Sequence, residues 1–131
     1  MKRRKPPYFL KVKKDLPNSS PGMCIRIVWW KTIRSTLLWQ ATCISNRGRS
    51  NWHSHPAGQI LVVIDGVGYH QFEGEPRETI KKGDVIKCPP NTKHWRGAST
   101  DTGMSHIYIL PNTEKGIVEW LEPVTDEQYS N

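Results

Sequence analysis

The sequence predicts an all-β chain folded as an antiparallel barrel or sandwich, and three observations predict it. From Cys24 onward, short segments rich in Ile, Val, Trp, Thr and Leu succeed one another, broken by Gly, Pro and Asn. No helical i, i+3, i+4, i+7 apolar pattern is sustained until the last part of the chain. A chain of 131 residues, 15.1 kDa, has room for one hydrophobic core, and several short strands at this spacing close on that core as a sandwich or barrel.

Residues 1–22 precede this texture. They mix Lys and Arg with Pro6, Pro7, Pro17, Pro21 and Asn18-Ser19-Ser20, too little apolar surface to offset the entropy of ordering, and read as a basic Pro-rich arm laid out in solvent or along a neighbouring subunit. The folded domain then runs over 23–131. Strands are expected at about 24–33 and 36–45, whose Trp29, Trp30 and Trp39 suit a core or subunit interface. The next, about 50–55, carries Trp52 and two histidines, and a Pro56-Ala57-Gly58 turn leads into the apolar run Ile60-Leu61-Val62-Val63-Ile64 of a strand at 59–65. Asp65-Gly66 is a tight hairpin signal, because Gly supplies positive φ without strain, and returns the chain as a strand at 67–73. Strands at 78–80 and 84–88 flank the turn Lys82-Gly83-Asp84. The turn Pro89-Pro90-Asn91 leads to a strand at 93–97, and 103–110 follows with Met104, His106, Tyr108 and Leu110 on one face. One short helix is expected over Glu114–Leu121, ended by Pro123.

The balance of 19 Lys+Arg against 12 Asp+Glu, a formal +7, invites a reading as a nucleic-acid or membrane binder. The distribution of charge argues otherwise. Lys2, Arg3, Arg4, Lys5, Lys11, Lys13 and Lys14 crowd the arm without an acid among them, whereas acids outnumber bases from Trp52 to the end. No basic stripe interleaved with aromatics continues into the folded part, so the arm is read as a solvated tail and nucleic acid is not expected as a partner. No apolar run is long enough to span a bilayer, and Pro6-Pro7 stand where a signal peptide would have its apolar core. The expectation is a soluble, cytoplasmic protein that does not engage membranes. Cys24, Cys43 and Cys88 are odd in number and form no CxxC, which argues for buried free thiols over a disulfide framework or a zinc ribbon.

Chemistry concentrates in Asn51-Trp52-His53-Ser54-His55-Pro56-Ala57-Gly58-Gln59. Alternation along a strand projects His53 and His55 to one side, where two imidazole nitrogens can reach one metal ion. Gln59 follows a turn that returns its amide oxygen toward the same point. His94, after a strand and a tight turn, is the leading candidate for a third imidazole. His70, in Gly68-Tyr69-His70-Gln71, has no partner motif and reads as a strand surface residue.

Those residues resemble the cupin superfamily, whose first motif runs G(x)5HxH(x)3-4E(x)6G and whose second runs G(x)5PxG(x)2H(x)3N. His53-x-His55, Gln59 and Gly66 match the first, over 52–66; Gly83, Pro89 and His94 match the second, over 83–98. Gln59 stands in place of Glu, Asn91 in place of Gly, and Ala98 in place of Asn. The resemblance implies an antiparallel double-stranded β-helix, the cupin or jelly-roll barrel, with the arm appended. It narrows through Trp52–Gln59, His94-Trp95-Arg96-Gly97-Ala98, Met104-Ser105-His106-Ile107 and Glu119–Tyr129 to small cupins that include manganese-dependent hydroxynitrile lyases.

What that resemblance implies is specific. A divalent metal ion, Mn²⁺ first and Fe²⁺, Ni²⁺ or Zn²⁺ as alternatives, would be held by His53, His55, Gln59 and His94. His106 would serve as catalytic base, with Arg96, Tyr108 and Met104 lining the substrate. Arg96 replaces a second His that related chains carry in HWHGA, so a titratable group has become a fixed cation. Four neutral ligands leave the ion its full charge and make it a stronger Lewis acid. The expected activity is metal-dependent cyanohydrin cleavage on a small molecule, in a homodimer or homotetramer. The same site would also serve a dioxygenase, a decarboxylase, or a cupin that only binds a metal or ligand.

Overall fold

The computed structural model describes residues 23–31 and 36–131, with side chains from Leu37 onward other than Gln40. The arm and the first turn lie outside the described residues. The strands are β1 (Met23–Lys31), β2 (Thr36–Ile44), β3 (His53–Ser54), β4 (Gln59–Phe72), β5 (Glu78–Lys81), β6 (Val85–Cys88), β7 (His94–Ala98), β8 (Met104–Leu110) and β9 (Glu119–Trp120), followed by the short helix α1 (Asp126–Ser130). All pair antiparallel, in the order β1-β2-β8-β4-β7-β3-β9, with β5 and β6 also on β4.

The expected hairpin at Asp65-Gly66 is absent. β4 runs on through it as a single strand of 14 residues. Its first half pairs with β6 and β8, its second half with β5 and β7, so β4 passes from one layer to the other. A β-bulge makes the corner: Val63 opposes His106 and Asp65 opposes Ser105, leaving Ile64 as the extra residue. Gly66 completes the bend with φ 74°, and a Cβ there would lie 2.0 Å from the Gly103 carbonyl oxygen. The bulge has a second effect. Inward residues of β4 are Gln59, Leu61 and Val63 before it and Gly68 and His70 after it, so one inserted residue exchanges the faces.

The expected helix over Glu114–Leu121 is also replaced. Asn112 (φ 48°) and Gly116 (φ 115°) bracket a single 3-10 turn at Thr113–Lys115. The chain then extends, with Leu121 N–H donating to the Trp52 carbonyl at 2.8 Å and Trp52 N–H donating to Glu122 at 3.0 Å. Eight residues are too few to hold a helix alone, and the open edge of β3 offers backbone partners that a helix would forgo. The turns at Lys82–Asp84 and Pro89–Asn91 occur where expected, with Gly83 and Asn91 at positive φ.

Among the described residues, two apolar clusters hold the layers. Leu38, Ile44, Leu61, Val63, Ile80, Ala98, Met104, Tyr108 and Leu110 fill the barrel interior. Trp52, Trp95, Val124 and Tyr129 form the second, on the outer face of β7. The C-terminal segment covers that face: Thr125 caps α1 reciprocally with Gln128, and Tyr129 Oη donates to the Ala98 carbonyl at 2.6 Å. This cover buries both faces of β7. Cys88 is buried as expected, but Cys43 is exposed, because it alternates outward between the buried Thr42 and Ile44. No described helix is long and apolar enough to cross a membrane.

Candidate metal centre

Register brings the histidines together. His53 on β3 lies opposite His94 on β7. The turn after His55 is closed by Gly58 N–H donating to the His55 carbonyl, and Asn91 N–H donates to the same oxygen, so this carbonyl ties both motif turns. Gln59 then enters β4 opposite Cys88. One ligating atom from each of His53, His55 and His94 lies within 4.8 Å of the others, and all three residues are buried.

Ring orientation is set from behind. His53 Nδ1 is 2.8 Å from the Asn51 carbonyl and His55 Nδ1 is 2.8 Å from the Ile117 carbonyl; each nitrogen donates, which leaves Nε2 with a lone pair. The third ring is backed differently. His94 Nδ1 lies 3.1 Å from His70 Nε2 and 3.5 Å from Cys88 Sγ. Buried atoms without a hydrogen-bond partner include His55 Nε2, His94 Nε2 and both amide atoms of Gln59. Uncommitted acceptors at zero to five per cent exposure carry a desolvation cost that a cation relieves, so the donor chemistry fits a divalent metal ion.

His53 is the exception. Its Nε2 accepts from Arg96 Nη1 at 3.0 Å, while Arg96 Nε donates to His106 Nε2 at 3.0 Å. Arg96 is 4% exposed, and no ion pair between described residues includes it. Its Cζ lies 5.1 Å from the Tyr108 ring centroid. His106 sits on β8 opposite both Thr42 and Val63, with Tyr108 stacked on it at 6.2 Å. Met104 and Tyr108 share its inward face, within the barrel cluster.

His70 corrects the sequence reading. It is fully buried, opposite Arg96 in register and against His94, instead of on the surface. Alternation counted through the Asp65-Gly66 position without an extra residue turns it outward; the bulge turns it in. The even-numbered pair Gly68 and His70 was the available signal. Cys88 joins it behind His94, at 3.7 Å from His70 Nε2.

These imidazoles are held neutral. Burial, with the Arg96 charge adding to it, pushes His55 and His70 down to about 4 and His53 and His106 well below the usual histidine range. His94 is lowered by burial and by its neighbours His53 and His70. Burial raises the Cys88 thiol to about 12, so it stands as a thiol. Histidines depressed on folding leave the unfolded chain binding more protons below pH 6.5, and stability therefore falls as pH drops from 6.5 toward 4. Urea unfolding of metal-free protein should show a lower midpoint at pH 5 than at pH 7; equal midpoints would mean the rings titrate normally. A surface groove of about 360 Å³ is lined by Arg47, Asn51 and Pro123.

A curled antiparallel barrel with inward imidazoles on two short motifs defines a class, the double-stranded β-helix proteins. The chain belongs to the cupin family: the family model described as "Cupin domain" matches residues 42–110. A cupin-like protein from Thermotoga maritima is 33% identical and superposes with a TM-score of 0.73 over 88% of this chain and 95% of its own. A polyketide cyclase from Streptomyces resistomycificus shares the fold at 14% identity, TM-score 0.69, over 99% of this chain and 92% of its own. Among curated proteins, (R)-mandelonitrile lyase of Granulicella tundricola is 47% identical over 81 residues, which are 62% of each chain.

Proposed function

We propose that the chain is a metal-dependent lyase that cleaves a small hydroxynitrile to a carbonyl compound and cyanide. The observation that carries this reading is the convergence of neutral, uncommitted metal-type donors next to His106 and Arg96, in a chain 47% identical over 81 residues to (R)-mandelonitrile lyase. His53, His55 and His94 through Nε2, with Gln59 through its amide oxygen, would hold the ion, Mn²⁺ first and Fe²⁺, Ni²⁺ or Zn²⁺ as alternatives. When bound, a divalent cation supplies Lewis-acid polarisation of a substrate hydroxyl. His106 takes the hydroxyl proton; burial beside Arg96 keeps it neutral and able to act as a base. Its Nε2 lone pair first has to be released by Arg96. The guanidinium then faces the negative charge on the departing cyanide, and Tyr108 and Met104 close the apolar side.

Racemic mandelonitrile added to manganese-loaded protein is expected to release benzaldehyde faster than with His106→Ala, by about 10²-fold or more. Equal rates would remove His106 from the reaction. β1 is an outer edge among the described strands, a position that supports assembly into a homodimer or homotetramer. The basic arm at 1–22 is read as an appendage to the domain at 23–131.

A further inference from the structure

His53 has one lone pair and two cations with a claim on it. Its Nδ1 proton is committed to the Asn51 carbonyl, so Nε2 can face either a metal ion or Arg96 Nη1, which now sits 3.0 Å away. The same guanidinium consumes the Nε2 lone pair of His106. Arg96 thus engages a metal-type ligand and the proposed base together.

Among the described residues the guanidinium also lacks a counter-charge. Buried charges are ordinarily paired, yet the ion pairs among described residues involve Arg49 and Lys93 instead, and the groups that Arg96 meets through hydrogen bonds are imidazoles, which offer it no negative charge. A divalent ion held by four neutral ligands would add two further positive charges to a pocket in which no described carboxylate pairs with Arg96. Thr42 Oγ1 and His106 Nδ1, at paired positions of β2 and β8, are two more buried polar atoms without partners, both able to donate. The surroundings call for an anion.

We propose that Arg96 couples metal loading to the binding of a small carboxylate: the ion and the guanidinium exclude each other at His53 Nε2 until an anion lying between them draws Arg96 away. A carboxylate fits best because its two coplanar oxygens match the planar fork of a guanidinium and leave lone pairs for an ion. The inference rests on the metal centre proposed above and adds to it a small carboxylate as a second ligand that promotes metal loading. Drawing Arg96 aside also frees His106 Nε2, so the carboxylate uncovers the base.

Calorimetric titration of Mn²⁺ into the full-length metal-free protein tests this without any turnover. Arg96→Gln and Arg96→His, each verified as folded by its thermal transition, are expected to bind Mn²⁺ about tenfold tighter than the parent chain. Glycolate should tighten Mn²⁺ binding to the parent chain by about fivefold or more, while uncharged glycolamide should not, and neither should affect Arg96→Gln. Equal Mn²⁺ affinity in the parent and both variants overturns the competition at His53. Failure of glycolate to tighten the parent overturns the coupling. Absence of Mn²⁺ binding in all three proteins removes the metal centre itself and the proposal with it.

Discussion

Replacing His94 with Ala is expected to weaken manganese binding by on the order of 100-fold or more, leaving protein purified without chelator nearly free of metal by elemental analysis. His94 is the hinge of the site. It is fully buried, its Nε2 has no partner, and it lies opposite His53 in the β3–β7 pairing. Its other nitrogen is braced by His70 and Cys88, a backing that fixes which face of the ring turns toward His53 and His55. Removing His70 alone should loosen the ring and lower metal affinity by about 10-fold, since no proposed ligand is lost. Full metal content in His94→Ala would mean that the ion, if any, lies elsewhere in the barrel.

Replacing Trp95 with Ala should destabilise the fold by about 3–5 kcal/mol, read as a lowered urea midpoint at unchanged slope. Trp95 has no exposed surface and anchors the second apolar cluster. Its indole N–H donates to Gln71 Oε1 at 2.9 Å, across the β4–β7 pairing. Truncation would leave a large cavity under Val124 and Tyr129, loosening the C-terminal cover from β7. Because His94 and Arg96 flank Trp95 on the opposite face, metal affinity should fall as well. A loss below about 1 kcal/mol would show that the cover collapses into the space, and that α1 is less firmly seated than its capping implies.

The legibility of the site follows from the range over which each rule acts. Alternation within a strand is local, and it correctly turned His53 and His55 to one side and grouped Met104, His106, Tyr108 and Leu110. Turn chemistry is local too, which is why Lys82–Asp84 and Pro89–Asn91 fall where their Gly and Asn require. The Asp65-Gly66 dipeptide misled, since a glycine at positive φ serves a bulge as well as a hairpin, and only the pairing of β4 with both β8 and β7 chooses between them. His70 reads as a surface residue for another reason: its own segment holds no partner motif, and the partners it meets, Cys88 and His94, lie 18 and 24 residues further along the chain.

The sequence by itself determined an all-β chain, the positions of its two histidine motifs and the concentration of basic charge in residues 1–22, because these depend on periodicity, turn residues and composition. Tertiary structure alone decided that Glu119-Trp120 would be a strand, that His70 would brace His94, and that Arg96 would bridge His53 and His106. Each of these depends on a partner ten or more residues away. The free energy of such a contact belongs to the pairing register, which no single segment of the sequence contains.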